Sequence, residues 1–146
     1  MRKKIHAVSF CLCMMLAVLQ GCSGGGANAD PEFAKTAFQS LARGDSSAEE
    51  VIDWETFQSM GQNVGMIYIA MPNDTEKANF RKSFIAQFSS SFQSTGASAD
   101  GLKNWRVQSK DSARTIIAAD TPNNTTLLIT VSKRDGKQKI SALNTG

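Results

Sequence analysis

Apolar residues follow two different periods along this chain, and the change falls past its middle. Phe33, Ala34, Ala37, Phe38, Leu41 and Ala42 recur at helical spacing, which predicts a first amphipathic helix from about residue 31. Asp30 suits its N-cap, Pro31 its first position, where no amide hydrogen is needed, and Glu32 the positive helix end. Gly44 supplies a left-handed stop. Ser47-Ala48-Glu49-Glu50 reads as a capping box opening a second helix, with Ser47 as cap and Glu50 reaching back. Val51, Trp54, Phe57 or Gln58, Gly61 and Val64 continue its face, although Gly61 and Gly65 weaken helix propensity. Met66 to Met71 either extends this helix or forms a short strand or extended turn, and Pro72 ends it in each case. A third helix starts at Asn73, with Glu76 at its third position, carries Phe80, Phe84, Ile85, Phe88 and Phe92 on one stripe, and stops at Gly96.

From Trp105 onward the period is two. Strands are expected over 105–110, 113–119, 125–133 and 138–143, with a turn at Pro122-Asn123-Asn124. Leu127, Ile129 and Val131 share one face, and Asp135-Gly136 is a strong two-residue hairpin signal. Helices followed by sequential strands with short turns predict an α+β domain over residues 30–146: three N-terminal helices packed on a four-stranded antiparallel meander.

The segment before this domain carries a different pattern. Arg2, Lys3 and Lys4 precede an apolar run from Ala7 to Leu19, too short for a membrane span of roughly 20 residues but suited to an export signal. Leu19-Gln20-Gly21-Cys22 resembles the lipobox of bacterial lipoproteins. That resemblance implies a signal peptide over residues 1–21 and lipidation at Cys22. Residues 22–29, rich in glycine, then form a flexible tether. Ser23, where an Asp would imply inner-membrane retention, points to an outer-membrane anchor facing the periplasm.

Cleavage there changes the composition. The chain has 16 basic and 13 acidic residues, and loss of Arg2, Lys3 and Lys4 leaves 13 of each. The basic balance therefore belongs to the signal and gives no reason to expect nucleic acid as a partner. His6, the single histidine, leaves with it, as do Cys11 and Cys13. The mature chain then lacks Ser-His-Asp and Cys-His catalysis, His/Cys zinc sites and internal disulfides. No metal and no cofactor is expected.

Four groups of side chains remain as candidates. Phe80, Phe84, Phe88 and Phe92, with Trp105, read first as a core face against the sheet and alternatively as the wall of an apolar-ligand pocket. Glu49, Glu50, Asp53 and Glu55 read as helix-start electrostatics, or else as a cation site or general base. Trp54, Tyr68 and Trp105 are either junction packing or an aromatic site. Lys133, Arg134, Lys137 and Lys139 surround the last hairpin, either as a solubilising tip that protects a sheet edge or as a contact for anionic lipid headgroups or a partner.

Two resemblances add to this. The segment Ala42-Arg43-Gly44-Asp45, together with the run Val131-Ser132-Lys133-Arg134-Asp135-Gly136-Lys137-Gln138-Lys139-Ile140-Ser141, looks like the nuclear transport factor 2-like (cystatin-like) cone fold. In that family the helices and the curved sheet enclose a pocket. Val51-Ile52-Asp53-Trp54, Gly61, Phe80-Arg81-Lys82-Ser83-Phe84-Ile85 and Phe88 are similar to the helical region of the periplasmic phospholipid carrier of the Mla pathway. That implies an apolar pocket for acyl chains. The expected protein is a non-enzymatic, membrane-anchored binding or interaction module. Its partners are a membrane through the anchor, and envelope proteins or lipid.

Overall fold

The computed structural model describes residues 31–146. The expected signal peptide over residues 1–21, Cys22, the expected tether and the expected Asp30 cap lie outside the described residues. The domain is α+β, with four helices and a six-stranded mixed sheet.

Helix α1 (Pro31–Arg43) buries Ala34, Ala37, Phe38, Leu41 and Ala42, the stripe expected from their spacing. It ends in a left-handed Gly44, whose amide and that of Asp45 bond the Leu41 and Ser40 carbonyls at 3.1 and 2.9 Å. Helix α4 (Asp74–Ser94) starts where Asn73 Oδ1 accepts the Glu76 amide at 2.9 Å. Buried Ser89 donates its hydroxyl to the Ala42 carbonyl at 3.0 Å, which ties α4 to the last turn of α1.

The second helix is shorter than expected. Helix α2 (Ala48–Val51) stops after one turn, and Ser47 forms no side-chain cap; its hydroxyl bonds Ser40 instead. Pairing with a distant strand ends it. Ile52 bridges Ile140, and the Asp53 amide donates to the Ile140 carbonyl at 2.9 Å. A tight hairpin follows, β1 (Gln58–Ser59) and β2 (Gln62–Asn63), and then helix α3 (Val64–Ile69), which places most of residues 66–71 in a helix. Gly65 lets α3 seat directly on backbone. Its amide bonds the Phe57 carbonyl at 2.8 Å, and a Cβ there would sit 2.4 Å from the Glu55 carbonyl oxygen.

The four expected strands form as an antiparallel meander: β3 (Lys103–Lys110), β4 (Arg114–Asp120), β5 (Thr126–Arg134) and β6 (Lys137–Thr145). The sheet order is β2-β1-β6-β5-β4-β3, with β1 parallel to β6. The four-stranded, wholly antiparallel sheet and the three helices of the sequence reading are corrected accordingly. The Asp135-Gly136 turn has both residues at positive φ, which matches the right-handed twist of β5 and β6. Register slips once in that pair: Val131 faces Ile140, and Thr130 faces Ala142. Ser141 is the extra residue, so Ile140 and Leu143, three apart, both point into the core.

The core lies between one sheet face and the helices. Thr115, Ile117, Ala119, Leu127, Ile129, Val131, Ile140 and Leu143 line its sheet side, and Phe38, Leu41, Phe57 and Ile85 help cover them. The β3 edge is mostly solvated and carries Lys103, Arg106 and Lys110, charges that discourage pairing with another chain.

Candidate functional site

The four-residue spacing of the α4 phenylalanines decides where they point. Each step of four residues rotates a side chain by about 40° beyond a full turn, so the stripe winds by about 120° over three steps. Its rings form a continuous ladder with centroids 6.2 to 6.4 Å apart. At the N-terminal end, Phe80 and Phe84 pack with Trp54, which also meets Phe57 and Tyr68. At the C-terminal end, Phe88 and Phe92 meet Phe38 edge-on at 6.3 and 5.5 Å. Trp105 lies 6.4 Å from the Phe38 ring and donates its indole N–H to the Leu102 carbonyl at 3.3 Å.

Below this second cluster an apolar cleft of about 370 Å³ opens at the end of the sheet. Phe38, Phe88, Phe92, Leu102 and Leu127 are its walls, and Met60, Ala97, Thr121, Pro122, Thr125 and Thr145 are among the residues that complete it. Of the five residues singled out for a pocket, Phe88 and Phe92 line this cleft. Phe80 and Phe84 belong to the Trp54 cluster, and Trp105 packs behind Phe38. Thr121, Pro122 and Thr125 also border a polar groove of about 650 Å³ that runs along Lys103, Asn104, Asp120 and Asn124. There, hydrogen bonds from Asn104 and Arg106 hold the Asp120 carboxyl below the usual carboxylate range.

Met60 is the least expected member of the cleft. With Gly61 it forms the two-residue turn between β1 and β2, and both have positive φ, at 48° and 81°. Asn or Gly is favoured there, and a long side chain is costly. Met60 nevertheless stands 49% exposed at the cleft. Strained positions held by a fold often mark a used surface. Met60→Asn is expected to raise domain stability by about 1 kcal/mol and to weaken binding of an apolar probe several-fold. Thermal melts and probe titration of the same variant check both halves.

The acidic group does not converge. Glu49 pairs with Arg81 at 3.1 Å, and Arg81 donates to the Tyr68 hydroxyl at 2.9 Å. Burial opposes the Arg81 charge, but these hydrogen bonds more than offset it and raise its pKa. Asp53, only 7% exposed, and Glu55 both pair with Arg134, across a hollow of about 200 Å³ that also includes Trp54, Tyr68 and Lys139. Lys139 donates to the Glu50 carbonyl. Two of the four hairpin cations thus hold the α2 region against the sheet. The aromatic trio divides as well: Trp54 and Tyr68 are neighbours at 5.9 Å, whereas Trp105 belongs with Phe38. Among the described residues, no three His, Cys, Asp or Glu side chains come together in a way that could hold a metal ion.

Met60, Leu102 and Leu127 were not candidates in the sequence. The turn at Pro122 to Asn124 was legible, but nothing local marks it as a cleft wall. No family model matches the chain, and no curated protein or solved structure does so either.

Proposed function

We infer that this is a lipid-anchored, non-enzymatic module of the bacterial envelope that holds a small apolar ligand in the cleft between α4 and the end of the sheet. Cys22 carries the anchor, and the domain faces the periplasm from the outer membrane. The cleft carries this reading. Its walls are aromatic and aliphatic, its rim is threonine, proline and asparagine, and no ionisable side chain lines it among the described residues. Such a lining binds by desolvation and orients by a few polar contacts.

A phospholipid carrier is the second reading, favoured by the same apolar lining. The cleft volume lies near the lower end of the ~300–1,000 Å³ common for ligand pockets. That suits a small apolar molecule, or part of a lipid, better than a whole two-chain lipid.

Solvent extraction and mass spectrometry of the purified protein tests the reading. A stoichiometric apolar compound is expected from the native chain and is expected to be missing from Ala97→Trp, which fills the cleft. Recovery of the same compound from both would place binding elsewhere.

A further inference from the structure

Helix α3 carries an apolar surface that the cleft does not explain. Met66, Ile67 and Ile69 are 68, 49 and 58% exposed, within little more than one helical turn. Val64 and Gly65, on the other side, are buried against the β1 region. The sequence from Thr56 to Asn73 contains no Asp, Glu, Lys or Arg, so this surface can leave water without stripping a charge of its solvent. Clustered exposed aliphatics of this kind mark contact with a partner or a membrane.

We propose that the Met66, Ile67 and Ile69 face of α3 inserts into the periplasmic leaflet of the membrane that holds the lipid anchor, fixing how the domain stands on that membrane. The proposal rests on the lipidation of Cys22. From Cys22 to Pro31 is nine residue steps, a reach of at most about 30 Å when fully extended. The anchor therefore keeps the whole domain within about its own diameter of the bilayer, so α3 meets lipid at high effective concentration.

The chemistry of the face favours lipid over protein. Protein hot spots are enriched in Trp, Tyr and Arg, and here those types turn inward: Tyr68 is half-buried and its hydroxyl is taken by Arg81. What remains outward is aliphatic, which suits hydrocarbon without requiring a complementary shape. Lys77 and Arg81 lie over the Tyr68 ring at 5.5 and 5.9 Å; Arg81 is paired with Glu49, so Lys77 is the cation beside the helix that suits an anionic headgroup.

The test uses the full lipidated protein in phosphatidylethanolamine–phosphatidylglycerol vesicles. Acylation of Cys22 leaves an added cysteine as the sole thiol, so Ile67→Cys carries one nitrobenzoxadiazole label. Gln108→Cys, on the exposed β3 edge at the other end of the sheet, is the control. The expected result is a blue-shifted label at 67 that doxyl-labelled lipids quench, and a label at 108 that they do not. A solvent-exposed label at 67 on a chain shown by mass to be acylated overturns the proposal alone. A label at 67 that is blue-shifted but not quenched by lipid also overturns it, in favour of a second copy or a protein partner. A mature chain whose mass lacks acyl groups overturns the lipidation reading, and the proposal falls with it.

Discussion

Phe38→Ala is expected to destabilise the domain by about 3–5 kcal/mol, the usual cost of removing a buried phenylalanine with incomplete collapse of the space. Phe38 is 1% exposed and joins three elements: its ring contacts Phe88 and Phe92 of α4 and Trp105 of β3, while its backbone belongs to α1. The flanking rings are fixed by α4 and by the Trp105 indole bond to the Leu102 carbonyl, so little can move into the gap. In urea the midpoint should fall by roughly 2 M for a domain of this size. Phe92→Ala should cost clearly less, because Phe92 is only half-buried, yet it removes a cleft wall directly. A similar loss of stability in the two variants would mean that Phe38 is not the junction its contacts imply.

The second large effect is on location. Cys22→Ala should abolish incorporation of radioactive fatty acid and leave the precursor with its signal uncut. Each buried acyl methylene contributes roughly 0.8 kcal/mol, so a chain of about a dozen is worth on the order of 10 kcal/mol of membrane attachment. The only other cysteines of the sequence, Cys11 and Cys13, lie ahead of the proposed cleavage point, so neither is expected to replace Cys22. Unchanged labelling in the variant would refute lipidation at this site. On the proposed reading the same cleavage would remove His6 and the basic excess, so that localisation and the narrowing of available chemistry would be one event.

The elements that were legible in the sequence share one property: their signals are local. The α1 stripe, the Asn73 cap, the Asp135-Gly136 turn and the alternation of Leu127, Ile129 and Val131 all lie within a few residues of what they determine. The break after Val51 is not local. Trp54, Phe57, Gly61 and Val64 keep a spacing that a helix would accept, and the competing structure depends on Ile140, far along the chain. Two-residue strands such as β1 and β2 carry too few positions to show a period. The parallel pairing of β1 with β6 is likewise set by tertiary contacts.

The candidate site divides in the same way. Phe88 and Phe92 were visible as part of an apolar stripe, but the stripe alone does not say which end faces a cleft. That depends on the winding of the four-residue repeat around α4 and on the elements that meet its far end. Met60 was unreadable for a different reason. Its importance comes from a backbone conformation that its residue type disfavours, and neither apolar periodicity nor composition reports backbone strain.

The most direct measurement is a titration of the mature domain, exported in soluble form without Cys22, with a naphthylamine fluorophore that brightens in apolar surroundings. One saturable site per chain is expected, and Ala97→Trp should abolish it while leaving the melting temperature and circular dichroism unchanged. Fluorescence that fails to saturate, or that is the same in the folded Ala97→Trp variant, would contradict a ligand-binding cleft beneath Phe88 and Phe92.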